Sequence, residues 1–201
     1  MAERVAVFLD YENANRTGHQ LYTEFAAPHH STTIDPMRIA KLIVARRRFP
    51  SSLAAVYTFR GRPLPQFQPE ACSASDLLAT AWENDGVHVV RRDLKYLVES
   101  DATWSAQEKG IDVALAIAAT EGALGGGFDV AVIFSNDHDQ LPTLELLFHK
   151  LDPKVEIACW AGAKPLWFPA MLRETPPRRL PYCHFLGADD FLECRDLRGS
   201  R

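Results

Sequence analysis

The chain has 201 residues, 47% hydrophobic and 24% charged, with 22 basic against 26 acidic residues and a formal charge of −4. These proportions exclude a wholly disordered chain, a collagen-like repeat and a polycation that grips nucleic acid through bulk charge. The longest purely apolar run, Val113–Ala119, falls far short of the ~20 residues of a membrane-spanning helix. The opening Met1-Ala2-Glu3-Arg4 lacks a basic flank followed by a long apolar stretch, so no secretory signal is expected.

In chain order, Arg4–Asp10 (R-V-A-V-F-L-D) reads as a buried strand, followed by a polar loop from Tyr11 to Asn15. Asp35-Pro36 carries the N-cap acid and first-turn proline that open a helix, and Phe49-Pro50 closes it. Leu53–Phe59 is a second strand, broken by Arg60-Gly61-Arg62-Pro63. A Pro-, Gln- and Ser-rich loop then runs to Ser75, and a helix follows over Asp76–Asn84. Val87–Val90 is a third strand and Leu94–Gln107 a loop or insert.

Glu108–Glu121 has helical spacing at Ile111, Leu115 and Ala118, with a stop at Gly122. Phe128–Phe134 (F-D-V-A-V-I-F) is the clearest strand, and Leu141–Lys150 a helix behind it. Val155–Trp160 is a fifth strand, Pro165–Leu172 a short helix, and Phe185–Phe191 a last strand or an acidic loop. Strands separated by helices imply an α/β domain with a mostly parallel five- to six-stranded sheet covered on both faces. We expect one domain over residues 1–175 and a C-terminal tail over 176–201, loosely attached or packed on the domain, that starts at Pro176-Pro177-Arg178-Arg179. Cys72, Cys159, Cys183 and Cys194 include no C-x-x-C pair, so thiols in a cytoplasmic protein are expected.

Ligands of open α/β sheets bind beyond the carboxyl ends of the strands. Asp10 ends the first strand, and Asp137 and Asp139 follow the Phe128–Phe134 strand. Asp112 opens the preceding helix, whose amino end lies at the same edge. Glu12, Asn13, Ser135 and Asn136 can join from the same loops. Carboxylates gathered in one crevice stay ionised only beside cations, and all-oxygen ligands suit Mg²⁺ or Mn²⁺. Asp139 also fits an N-cap of the Leu141 helix. Arg60, Arg62, Arg91 and Arg92 follow the second and third strands at this edge, where guanidinium forks can meet phosphate oxygens. Arg46-Arg47-Arg48, at a helix end, suits the helix dipole instead. His29-His30, His138 and His184 lack metal-site spacing and read as loop histidines. Trp160, Trp167 and Phe168 read as packing at the far end of the sheet.

V-A-V-F-L-D-Y-E-N (Val5–Asn13), E-K-G-I-D-V-A-L-A (Glu108–Ala116) and V-A-V-I-F-S-N-D-H-D (Val130–Asp139) come in order along the chain. Together they resemble three motifs of NYN domains, of the LabA-like branch of the PIN-like nuclease superfamily. The resemblance implies a three-layer α/β/α PIN-like fold and an endoribonuclease dependent on Mg²⁺ or Mn²⁺ that hydrolyses RNA with activated water. It implies Asp10, Asp112 and Asp137 as catalytic and metal positions, Asp139 as a supporting acid, and Asn13 and Ser135 as polar site positions. RNA, single-stranded or structured, is the implied partner, a membrane is not, and a homo-oligomer stays open. The chain departs from the family pattern at Ala118, where relatives often carry another Asp, at Asn136 in place of Gly, and at Gln140 in place of an aromatic. Ala118 motivates a rival reading: a non-catalytic RNA-binding or protein-interaction module on the same fold. A small-phosphoester phosphatase is weaker, because Asp10-Tyr11-Glu12 lacks the second aspartate of a D-x-D nucleophile site.

Overall fold

The computed structural model describes residues 1–24, 32–98, 103–166 and 181–199. Six parallel strands form one sheet: β1 (Glu3–Asp10), β2 (Ser51–Arg62), β3 (His88–Asp93), β6 (Val130–Phe134), β7 (Lys154–Trp160) and β8 (Tyr182–Leu186). Their spatial order is β3-β2-β1-β6-β7-β8. A separate antiparallel hairpin joins β4 (Lys95–Val98) to β5 (Trp104–Gln107).

Strand alternation divides the core in two. Val5, Val7, Leu9, Val130, Val132 and Phe134 face one side. There they meet α1 (Tyr11–Tyr22), α2 (Pro36–Ala45), α3 (Pro69–Asn84) and α6 (Ala188–Glu193). Ala6, Phe8, Ala131 and Ile133 face the other side, against α4 (Ile111–Leu124) and α5 (Leu141–Lys150). A sheet buried on both faces cannot show a polar-apolar alternation, which is why these strands read as continuous apolar runs. The result is the expected three-layer α/β/α arrangement.

Asp35 caps α2 as its sequence predicts, accepting from the Met37 and Arg38 N–H groups at 2.9 and 3.1 Å. Other expectations need correction. The polar stretch after Asp10 is no loop, for α1 starts at Tyr11. Its buried residues Tyr11, Ala14, Asn15, Gly18 and His19 recur with helical spacing, but polar and small side chains mask the pattern. Helix α3 begins at Pro69, well before Asp76, with proline in its first turn. Strand β2 runs through Gly61 to Arg62, because it pairs with β3 as far as Asp93 and because Leu94 and Glu108 fill the space that a Cβ at Gly61 would need. Within the expected loop or insert, Lys95–Val98 pairs with Trp104–Gln107, held down by Tyr96 stacked on Phe67 at 4.1 Å.

Residues Phe185–Phe191 divide between β8 and α6, with Gly187 between them. His184 is a buried strand residue bonded to Glu156 at 2.8 Å, not a loop histidine. The arginine run does not serve the helix dipole. Arg46 pairs with Asp190, and Arg47 bridges Glu3 at 2.8 Å and Glu156 at 2.7 Å near the amino ends of β1 and β7. All four cysteines are free, and Trp160 is buried with its indole N–H on the Ala14 carbonyl at 2.7 Å. His29-His30, Trp167, Phe168, Pro176-Pro177-Arg178-Arg179 and most of the helix expected at Pro165–Leu172 lie outside the described residues.

Gly18 lets α1 pack directly on Phe191 and Trp160. A Cβ there would stand 2.6 Å from Phe191 Cε2 and 2.9 Å from Trp160 Nε1, both on fully buried rings. Gly18→Ala is therefore expected to lower the unfolding free energy by about 1–3 kcal/mol, read from the denaturant midpoint.

Candidate metal and nucleic-acid site

From β1 the chain first builds outward to β2 and β3, then returns to the other side of β1 to lay down β6, β7 and β8. The order reverses between β1 and β6, and a crevice opens beyond the carboxyl ends of strands at such a switch point. Asp10 ends β1 on one side of that point, and Ser135-Asn136-Asp137 follow β6 on the other. A cavity of about 270 Å³ lies there, with Asp10, Asn13, Asp112 and Asp137 in its wall together with Glu12 and Glu108.

Hydrogen bonds fix these acids. The Ser135 hydroxyl donates to Asp10 Oδ2 at 2.8 Å and itself accepts from the Asp137 N–H at 3.0 Å. The Asn136 N–H donates to Asn13 Oδ1 at 3.0 Å, and Thr17 donates to Asn136 Oδ1 at 3.3 Å, so the loop after β6 is tied to α1. Gln140, fully buried, donates from Nε2 to Asp112 Oδ1 at 2.8 Å and accepts from Thr143 at 3.2 Å. An aromatic residue at position 140 would leave Asp112 without this support. Glu108 accepts from the Gly61 N–H and reaches the cavity from the far side.

Asp10 is only 5% exposed. Burial pushes its carboxyl up to about 7; the Ser135 hydroxyl opposes that shift, and the charges of Asp112 and Glu108 add to it. Glu108 is likewise raised, chiefly by burial, with the Gly61 N–H opposing. Among the described residues no cation pairs with Asp10, Asp112 or Asp137. Nor, among the described residues, do three or more His, Cys, Asp or Glu side chains form a ready-made metal cluster.

Not every expected site residue reaches the cavity. Asp139 is exposed outside it, and its N–H donates to Asp137 Oδ1 at 3.0 Å; Asp137 is thus the cap of the short 3-10 turn at His138–Gln140. Ser135 is 1% exposed and positions Asp10, with no surface for substrate. Arg60 is turned inward. Its guanidinium lies 4.5 Å from the Tyr11 ring centre and 3.4 Å from Glu12, with its side chain 12% exposed. Arg62 and Arg91 both pair with Asp76. Arg92 is the exception: its side chain lies over Gly110, in the cavity wall, and no acid pairs with it among the described residues.

Two charged wall residues were not anticipated, Glu108 and Arg16. Glu108 stands four residues before Asp112 in the E-K-G-I-D stretch, a spacing that would have drawn attention to it. Arg16 was hidden by the reading of α1 as a loop; on a helix it shares a face with Glu12 and Asn13. Ala118 packs against the apolar layer under α4 and is not in the cavity wall.

No curated protein matches the chain. Among solved structures it is similar to a protein of unknown function from Vibrio parahaemolyticus, at 15% identity and TM-score 0.54, over 94% of this chain and 95% of that one. That likeness concerns the fold. The NYN domain family matches residues 4–165, which takes in β1, the switch-point cavity and every wall residue named above. The chain therefore belongs to the NYN domain family, within the PIN-like nuclease superfamily.

Proposed function

We propose that this chain is a divalent-metal-dependent endoribonuclease of the LabA-like branch. One observation carries the reading: Asp10, Asp112 and Asp137, far apart in sequence, line one cavity at the sheet's switch point with no basic partner among the described residues. The donor set fits the ion. All candidate ligands are carboxylate oxygens, and Mg²⁺ characteristically takes only one or two carboxylates and keeps several waters, so a wide cavity suits it better than a closed cage.

Asp10, Asp112 and Asp137 would hold the Mg²⁺ or Mn²⁺. Such an ion, when bound, lowers the pKa of a coordinated water and neutralises charge on a phosphodiester during in-line displacement. The chain's own residues do the positioning. Ser135 fixes the Asp10 carboxylate, Gln140 turns Asp112 toward the cavity, and the Asn13–Asn136 bond closes the wall between them. Arg16, in the cavity wall, and Arg92, over Gly110, would offer guanidinium donors to phosphate oxygens near the acids.

The test is incubation of the purified chain with labelled RNA in Mn²⁺ or Mg²⁺, with EDTA as the control. Internal cleavage that EDTA abolishes is expected. RNA binding that persists in EDTA, with no cleavage under any metal, would favour a binding module instead. Release of phosphate from small phosphoesters without RNA cleavage would revive the phosphatase reading.

A further inference from the structure

The β4–β5 hairpin stands apart from the main sheet and is not needed to complete it. Its second strand runs directly into the cavity: Glu108, in the wall, follows Gln107. Trp104 lies four residues earlier, about 13 Å back along an extended strand. Tyr96 and Phe67 stack flat on each other at an interplanar angle of 7° and so occupy one another's faces. Trp104 meets both edge-on, at 65° and 64°, and among the described residues no ring lies parallel to it. The residue is 41% exposed.

The surroundings carry the charge that a polyanion needs. Arg92, Lys95 and Lys109 gather at the base of the hairpin, where Lys95 pairs with Gln107, all exposed and with no acidic partner among the described residues. Neither described strand of the hairpin contains an acid. A half-exposed indole with no parallel ring partner among the described residues, on the same short strand that leads past unpaired cations to a cavity of carboxylates, fits a base and its following phosphates better than an apolar protein surface.

Resting on the RNA reading above, we infer that Trp104 forms a base-stacking subsite, where an unpaired nucleotide of the substrate lands while the strand crosses the cavity. Bases of a continuous duplex are stacked on one another and cannot use it. The subsite therefore selects unpaired RNA next to the scissile bond.

Binding in EDTA separates this inference from catalysis. The probe is a fluorescein-labelled single-stranded RNA of about 12 nucleotides, compared with its duplex by fluorescence anisotropy. Trp104→Ala is expected to weaken single-strand binding about tenfold, a loss typical of one stacked base. Trp104→Leu, which keeps apolar contact with Phe67 and Tyr96 but has no aromatic face, should lose as much. Trp104→Phe should bind within about twofold of wild type, and duplex binding should be unchanged throughout. Wild-type affinity in Trp104→Leu, or an equal loss on the duplex, would overturn the subsite alone. Failure of the wild-type chain to bind any RNA would overturn the nucleic-acid reading with it.

Discussion

Asp10→Asn is expected to slow RNA cleavage by at least about a hundredfold, equivalent to roughly 3 kcal/mol of lost transition-state stabilisation. The amide has the shape of the carboxylate and can still accept from Ser135, which holds Asp10 Oδ2 at 2.8 Å, so the fold should survive. What disappears is the charge of the most buried acid in the cavity wall. The second readout is thermal. Saturating Mn²⁺ at about 100 times its Kd should raise the wild-type Tm by roughly 5–10 °C, and that gain should vanish in the variant. Asp137→Asn should behave in the same way, since Asp137 shares the cavity wall. Cleavage at the wild-type rate in both variants would remove these residues from the chemistry.

The largest expected effect on stability lies at the opposite edge of the sheet. The Arg47 side chain is 2% exposed and joins Glu3 and Glu156, while His184 holds Glu156 from β8 at 2.8 Å. Arg47→Ala removes the guanidinium that joins the two carboxylates, leaving Glu3 to Lys154 and Glu156 to His184 beside a buried gap. It should cost about 3–5 kcal/mol, or about 10 °C in Tm for a chain of this size. The same cluster governs acid stability. Burial pushes Glu156 up, but hydrogen bonds from His184 and Arg47 outweigh it and hold the carboxyl at about 2, against an ordinary 4.5. A carboxyl depressed on folding stabilises the protein above its unfolded pKa. That contribution, at most about 3 kcal/mol, is full above pH ~4.5 and fades as pH falls toward ~2. Urea midpoints at pH 7 and pH 3 should differ strongly in wild type and less in Arg47→Ala, where His184 alone still depresses Glu156. A similar acid sensitivity in both proteins would assign it to other groups.

The layered architecture was legible because buried parallel strands advertise themselves. V-A-V-F-L and V-A-V-I-F have no other plausible home, and the acids behind them mark the carboxyl edge. Asp10, Asp112 and Asp137 could thus be brought together by topology alone. Elements whose buried face is built from small or polar residues were not legible. Helix α1 buries Asn15, Gly18 and His19, and α3 buries Cys72 and Ser75, so neither shows an apolar stripe at its start. The arginines erred for a different reason. Strand order places Arg60, Arg62 and Arg91 at the correct edge, but their partners Tyr11, Glu12 and Asp76 come from helices, and no local pattern announces those pairings. Gln140 shows the converse: it breaks the family's pattern in sequence, yet in space it supports Asp112.

Glu3 and Asp10 are the two ends of one eight-residue strand, which sets them about 23 Å apart. Substitutions separated by more than about 10 Å with no shared partner have additive effects. The arginine cluster can therefore be weakened without disturbing the chemistry. An Arg47 variant should be a thermolabile allele that keeps full turnover at low temperature, allowing the activity to be switched off in a living cell by warming alone.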